Sequence, residues 1–233
     1  MQPLNADAEA VSASNEWTGG FFKFKQLNLD LENLKTNCHQ VSKFVKHRYG
    51  DADLPDRFGP KTTNLFEKYN VFMIASGPLH ELYREIVTFW NSFNPSDDVF
   101  YMQAWLNVYE EAPNLGWHQH SPNYMDAYHG YFCIDVDTSR TTYALEEKYF
   151  KDCLKNDYTD NNGQPLLTYN HEYEIVNVMN RDNLLVIAPS ANDLHRSMPW
   201  KVTTRPRITI AFDIVPGRWI ENAAWENHWI PIV

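Results

Sequence analysis

The feature that most constrains the fold is a series of short β-type segments that begins after Pro95. These segments are rich in β-branched and aromatic residues, and several alternate apolar with polar side chains, as half-buried strands do. They comprise residues 99–109, 130–136, 173–179, 184–188 and 207–215. Because the helical segments come first and the strand segments follow, the pattern predicts about six to eight short strands in one barrel or sandwich with helices on a face.

Two amphipathic helices are predicted before these strands. Between residues 28 and 49 apolar side chains recur with a helical period, and either Asn28 or Asp30 can cap the helix. A second helix is predicted to begin at Pro78, because proline is favoured in the first helical turn. The helical segments therefore precede the strands along the chain.

The domain organisation predicted from these patterns is a single domain over residues 1–233. Its parts are an N-terminal arm, a mainly helical support, a β-stranded core, and a C-terminal aromatic tail packed on the core. In the same order, these parts span residues 1–20, 21–95, 96–216 and 217–233.

Composition narrows the class of protein. The net charge of −10 argues against nucleic acid as a partner. No run approaches the roughly 18 apolar residues of a membrane span, and the N-terminus lacks the basic start and apolar run of a signal peptide. Three widely spaced cysteines, Cys38, Cys133 and Cys153, are an odd number, which is simplest to reconcile with a reducing cytoplasm.

Three histidines form the candidate metal site. His118 and His120 lie two residues apart in the run WHQH, and on an extended segment such residues project to the same face. His195 lies after an apolar strand and a turn, ahead of another strand. Two or three imidazoles can bind one metal ion, but the His-x-His spacing alone equally fits a histidine pair near a surface turn.

Arg207 is the candidate anchor for an acidic ligand. It starts an alternating strand in which it shares a face with Thr209, and a guanidinium beside a hydroxyl suits a carboxylate. A strand-end arginine in a surface ion pair is the alternative. Asn107, Tyr109 and Tyr131 lie on neighbouring strands and can bond the same ligand, or can be packed core residues.

Together these segments resemble the 2-oxoglutarate- and Fe(II)-dependent oxygenases, and within them the small bacterial and phage-borne group. The resemblance covers about residues 99–216. It is carried by WHQH, the strand 130–136, His195 after its Pro-Ser turn, and Arg207 twelve residues further on. It implies a double-stranded β-helix (a jelly-roll, cupin-like fold), mainly β with flanking helices. It also implies Fe(II), 2-oxoglutarate as co-substrate and O₂. His118, His195 and Arg207 become the catalytic candidates, and Arg207, Thr209, Asn107 and Tyr131 the candidates for binding the co-substrate.

One position departs from the family pattern. The family binds iron through His-x-Asp/Glu and a distal histidine, and His120 occupies the acid position here. The favoured ligand set is therefore His118, His120 and His195. A ligand could instead come from one of three neighbouring residues: Asp126, Asp193 or His129.

The resemblance implies a dioxygenase that hydroxylates a C–H bond and releases succinate and CO₂. A three-histidine metalloenzyme that does not use 2-oxoglutarate and a non-catalytic jelly-roll binding module are the rival hypotheses. The substrate is expected to be a small molecule, an amino acid or a peptide, selected by residues 138–170, which are predicted to form a loop. The sequence leaves the oligomeric state open, a homodimer included.

Overall fold

The computed structural model describes residues 16–50, 61–109, 116–120, 126–137, 139–160, 162–192, 194–198, 206–220 and 228–233. The α-helices in these ranges are α1 (Leu31–Tyr49), α2 (Lys61–Asn64), α3 (Gly77–Phe93), α4 (Glu147–Cys153) and α5 (Gly217–Ile220). The strands are β1 (Glu16–Trp17), β2 (Lys23–Gln26), β3 (Phe100–Tyr109), β4 (Tyr128–Asp135), β5 (Arg140–Ala144), β6 (Leu167–Asn170), β7 (Ile175–Met179), β8 (Leu184–Pro189), β9 (His195–Ser197), β10 (Arg207–Pro216) and β11 (Ile230–Pro231). None of the described helices combines the length and the apolar character needed to cross a membrane.

The two long helices begin at side-chain caps. The Asp30 carboxylate accepts a hydrogen bond from the backbone N–H of Asn33, so Asp30 rather than Asn28 is the cap of α1. Ser76 caps α3, and Pro78 lies in its first turn, where its missing N–H costs no hydrogen bond. Both helices lie close to their predicted positions because these start signals agree with the apolar period.

The strands form two antiparallel sheets. The larger has the order β1-β2-β8-β4-β10-β3-β11, and the smaller has the order β6-β7-β5-β9. Consecutive strands of the chain repeatedly change sheet, which is the arrangement of a double-stranded β-helix. The predicted fold class is therefore confirmed.

Strand β10 lies in the middle of the large sheet and has two different faces. It pairs with β3 on one side and with β4 on the other. The alternation of the strand directs Arg207, Thr209, Ala211 and Asp213 to the face between the two sheets. The residues between them are buried and aliphatic or aromatic: Ile208, Ile210, Phe212 and Ile214. They face the outer side, where α1 packs on β3 and β4, so β10 contributes to both the core and the site.

The prediction of a loop over residues 138–170 is wrong. The segment contains β5, α4 and β6, and β5 lies inside the small sheet between β7 and β9. Thr141, Thr142 and Tyr143 of β5 are buried although the segment looks polar. Their β-branched and aromatic side chains fit a packed strand. The hydroxyl groups of Thr141 and Thr142 are tolerated there because they are hydrogen-bonded to Asn180 and Asn177.

The two ends of the chain also join the large sheet. Strand β1 lies within the segment expected to be an N-terminal arm, and it pairs with β2. Residues 1–15 lie outside the described residues. Strand β11, in the expected C-terminal tail, pairs with β3 through Ile230 and Pro231.

Candidate functional site

A cavity of about 350 Å³ lies between the two sheets. Its walls are the inner faces of β3, β4 and β10 on one side, and β5 and β9 on the other, with the segment 118–120 at one end. Of the residues predicted to form the site, the following line this cavity: His118, His120, His195, Arg207, Thr209, Asn107 and Tyr131. The structure thus brings all of them to one cavity.

A pair of backbone hydrogen bonds brings the two distant histidine segments together. The N–H of His118 donates to the carbonyl of His195 at 2.9 Å, and the N–H of His195 donates to the carbonyl of His118 at 2.9 Å. Residues that exchange both bonds face each other across an antiparallel pair, with their side chains on one face. Their imidazole ring centres accordingly lie 4.2 Å apart.

The third imidazole completes a cluster suited to a metal ion. One nitrogen from each of His118, His120 and His195 lies within 4.8 Å of the others. His118 Nδ1 donates to the carbonyl of Gly116 at 2.8 Å. A carbonyl oxygen can only accept, so Nδ1 carries the proton and Nε2 keeps its lone pair for a cation.

Burial keeps His118 in the form that binds metals. Burial first, and then the neighbouring His120, lowers the pKa of His118 to about 4. Its imidazole is therefore neutral at pH 7, and a neutral imidazole is the metal-binding form.

A carboxylate that the sequence analysis did not single out lies behind His120. An Asp213 carboxylate oxygen is 2.9 Å from His120 Nδ1 and 3.4 Å from His129 Nδ1. Burial raises the pKa of Asp213, but the two imidazoles outweigh burial, and the net pKa is well below its usual value. Asp213 is the one acidic residue of β10, and it lies on the same face as Arg207 and Thr209. That alternation was the signal that could have identified it.

His129 is stacked face to face on His120. Their ring centres are 3.9 Å apart with an interplanar angle of 23°. His129 is buried, and burial, followed by the effect of His120, lowers its pKa to about 3. His129 therefore lines the cavity as a neutral ring next to the three-histidine cluster.

Asp126, one of the two acids considered from the sequence, is not found in the cluster. Asp126 accepts a hydrogen bond from Trp219 Nε1 at 2.8 Å and pairs with Arg218. Among the described residues, the groups able to hold a metal do not include Asp126. Asp193 lies outside the described residues.

Arg207 is a buried residue rather than a surface one, with 4% of its area exposed. Its Nε donates to Ser139 Oγ at 3.1 Å, and its guanidinium carbon lies 5.3 Å from the ring centre of Tyr109. These two contacts hold the guanidinium plane in one orientation. A fixed plane is what bidentate binding of a carboxylate requires.

Two hydrogen-bonded groups extend from the arginine end of the cavity. Thr63 Oγ1 donates to Asn107 Oδ1 at 2.5 Å, and Asn107 Nδ2 donates to Thr209 Oγ1 at 3.3 Å. Thr63, like Asn107 and Thr209, is buried and lines the cavity. Asn107 is therefore held by its neighbours with its amide beside the threonine next to Arg207.

Asn180 connects the second group and was not identified from the sequence. It accepts a hydrogen bond from the Tyr131 hydroxyl at 3.1 Å and donates to Ser139 Oγ at 3.2 Å and to Thr141 Oγ1 at 3.4 Å. Its side chain has no exposed area. Because Ser139 also contacts Arg207, Asn180 links Tyr131 to the arginine. Burial raises the pKa of Tyr131, which keeps its hydroxyl protonated as a donor.

Comparisons with known proteins address the fold. No family model and no curated protein matches this chain. A solved structure described as a complex of the non-heme monooxygenase ThoJ with nickel covers 88% of this chain and 77% of its own, with 15% identity and a TM-score of 0.52. The epimerase SnoN, described as non-heme and α-ketoglutarate-dependent, covers 84% and 76%, with 10% identity and a TM-score of 0.50.

A third solved structure also has a similar fold. AviO1 from Streptomyces viridochromogenes Tue57 covers 85% of this chain and 90% of its own, with 14% identity and a TM-score of 0.50. At such low identity the likeness establishes the shared fold alone. The chain therefore has the jelly-roll fold of these proteins, and its chemistry must be argued from its own residues.

Proposed function

We propose that this protein is an Fe(II)- and 2-oxoglutarate-dependent dioxygenase that hydroxylates a C–H bond of a small molecule, an amino acid or a peptide. One observation carries the proposal. A single buried cavity contains a three-imidazole cluster together with an oriented arginine. A co-substrate that chelates a metal through one end and ends in a carboxylate at the other needs both features. The neighbours ThoJ and SnoN, described as non-heme enzymes, support the metal by analogy only.

The residues of the cluster fit a divalent transition metal. Imidazole nitrogens of His118, His120 and His195 would hold the ion, and imidazole is a suitable ligand for Fe(II). When bound, the iron and 2-oxoglutarate together supply the power to oxidise a C–H bond with O₂, succinate and CO₂ being the other products.

The protein's own residues bind, orient and exclude water. Arg207 would hold the distal carboxylate of the co-substrate, with Thr209 and Asn107 beside it. Tyr131, whose hydroxyl donates to Asn180, lines the same cavity from β4. The small side chain of Ala211 leaves room on β10 between the arginine and the histidine ends. The burial of Arg207, Thr209 and Asn107 keeps these charge-assisted bonds strong because little water competes for them.

A rival function has one observation in its favour. The cluster of His118, His120 and His195 contains no carboxylate, and three-histidine sites also occur in enzymes that bind zinc or do not use 2-oxoglutarate. This rival function gives no role to the buried Arg207.

Spectroscopy of the anaerobic protein separates the two. Adding Fe(II) and then 2-oxoglutarate should produce a weak visible charge-transfer band, and admitting O₂ with substrate-like amino acids or peptides should release succinate. Arg207→Ala should weaken 2-oxoglutarate binding by about a hundredfold, since losing one partner of a buried charge pair costs about 3 kcal/mol. Arg140→Ala, which removes an exposed arginine from β5, is the matched control and should bind normally. A band that forms equally well in both variants would rule out the proposed anchor.

The remaining expectations about partners stay predictions. We propose a cytoplasmic location and no nucleic-acid or membrane partner. A homodimer is one of the oligomeric states that remain open. The region of β5 and α4 remains the proposed place for substrate selection, because Thr141 of β5 lines the cavity.

A further inference from the structure

The pair Asp213 and His129 has no role in the function proposed above, yet it is built into the wall of the same site. Both residues lie within the large sheet, where they are direct partners in the register of β10 and β4. Antiparallel partners project to the same face, so the pairing itself brings the carboxylate and the imidazole together. His120 approaches them from the segment after β3 and contacts both.

These three residues could in principle hold a second cation, because their ligand atoms lie within 4.8 Å of one another. The ring geometry argues against it. Two imidazoles with centres 3.9 Å apart and nearly parallel planes must lie face to face, since edge-to-edge contact at that distance would make the rings collide. Rings stacked in this way leave no room for an ion between their faces, and both Nδ1 atoms instead lie next to one Asp213 oxygen, at 2.9 and 3.4 Å. We therefore interpret the carboxylate as the hydrogen-bond acceptor of the two imidazoles rather than as a fellow metal ligand.

The same geometry suits a carboxylate that supports a metal ligand. An ionised carboxylate can only accept, so at 2.9 Å the His120 Nδ1 carries a proton and donates it to Asp213. That leaves Nε2 of His120 as the nitrogen available to the cluster with His118 and His195. Face-to-face contact with His129 then limits rotation of the His120 ring. Asp213 is outside the cavity lining, whereas His120 and His129 are part of it.

The charge of the site provides the reason for such a carboxylate. A site with two histidines and one carboxylate brings one negative charge to a divalent cation, whereas three neutral imidazoles bring none. In a buried site that deficit is costly, because little water screens the ion. A carboxylate bonded to the far side of a ligating imidazole compensates, since it raises the basicity of that imidazole and fixes its orientation.

We propose that Asp213, bonded through His120, supplies the negative charge that the metal site lacks in its ligands, with His129 as a positioning residue for the His120 ring. The inference rests on the proposed metal site but not on the identity of the co-substrate or the substrate. It makes Asp213 a residue that sets metal affinity and the reduction potential of bound iron without touching the metal.

The test is metal binding to the metal-free protein, measured by competition with a chromophoric chelator for Ni(II) and Zn(II) and anaerobically for Fe(II). Asp213→Asn keeps the size of the side chain and an acceptor oxygen but removes the charge. It should weaken metal binding about 10- to 100-fold, the range found for supporting carboxylates. It should also raise the Fe(III)/Fe(II) reduction potential, because the oxidised ion loses more stabilisation than the reduced one.

Two further variants separate charge from structure. Asp182→Asn makes the same chemical change at a carboxylate outside the cluster, one that accepts from the backbone N–H of Val136, and it should bind metal like the parent protein. Asp213→Glu restores the charge and should recover part of the lost affinity. If Asp213→Asn does not fold, metal binding is measured on Asp213→Glu instead. A folded Asp213→Glu variant that binds no metal overturns the inference.

The outcomes also separate this inference from the proposed function. A parent protein that binds none of the three metals refutes both. A parent protein that binds metal, with an Asp213→Asn variant of equal affinity and potential, refutes the role of Asp213 alone. A loss of affinity and a rise in potential in Asp213→Asn, absent in Asp182→Asn, supports it.

Discussion

Replacing Asn180 with alanine tests whether the buried polar network described above holds the arginine end of the cavity in place. The substitution removes three side-chain hydrogen bonds, to Tyr131, Ser139 and Thr141, at a position with no exposed area. A buried hydrogen bond contributes about 1 kcal/mol net, so we expect a loss of about 3 kcal/mol in the free energy of unfolding. In a chain of this size that corresponds to a fall in melting temperature of roughly 6–12 °C.

Urea unfolding and thermal unfolding of the metal-free protein measure this loss. The matched control is Asn177→Ala on β7, because Asn177 is only half-buried and its amide makes two side-chain hydrogen bonds, to Thr142 and to the exposed Thr168. That variant should lose less than about 1 kcal/mol. In a double-mutant cycle, Tyr131→Phe should reduce the cost of Asn180→Ala by about 1 kcal/mol, because the lost bond is shared.

The effect should also reach ligand binding. Asn180 contacts Ser139, which accepts from Arg207 Nε, so Asn180→Ala should weaken 2-oxoglutarate binding by about tenfold, or about 1.4 kcal/mol. If Asn180→Ala unfolds like the parent protein and binds the acid equally well, the network does not position the arginine and the reasoning is refuted.

The remaining predictions concern packing, metal binding and pH. Gly130→Ala should lose about 1–3 kcal/mol of stability, because its new Cβ would lie 2.4 Å from the Phe212 ring. Gly77→Ala is the control and should lose none, because no atom lies close to its new Cβ. Urea unfolding measures both losses. His195→Ala should abolish the rise in melting temperature that Ni(II) causes in the parent protein, and a persisting rise would exclude His195 as a ligand. The metal-free protein should lose stability as pH falls from about 6.5 to 4, because the unfolded chain protonates His118 while the folded chain, with the pKa of His118 at about 4, resists protonation. His118→Gln should reduce that dependence in pH-dependent unfolding experiments, while the part due to His129, whose pKa burial lowers to about 3, should remain.

The parts of the fold that follow local rules could be predicted from the sequence. Helix α3 has a cap at Ser76, a proline in its first turn and an apolar face. Its start and its helical conformation can therefore be predicted from residues adjacent in the sequence. The alternation of β10 correctly put Arg207 and Thr209 on one face. By contrast, β5 looked like a loop because its threonines are polar, and only the neighbouring strands β7 and β9 make their burial favourable.

The residues of the candidate site could be predicted from the sequence, but the contacts between them could not. Histidine spacing and the resemblance identified His118, His120 and His195, while their meeting depends on backbone bonds between segments far apart in the chain. Asn180 gave no local signal, because its role arises from partners on other strands. Asp213 could have been identified from the sequence, because it is the one acidic residue on the face of β10 that carries Arg207.

The central claim is that one cavity binds a metal through histidines and an acid through an arginine. A crystal structure of the protein grown anaerobically with Mn(II) and 2-oxoglutarate tests it most directly. The account predicts the ion bound by His118, His120 and His195, and the distal carboxylate of the acid bound to Arg207. An ion held by other residues, or an acid bound away from Arg207, would contradict it.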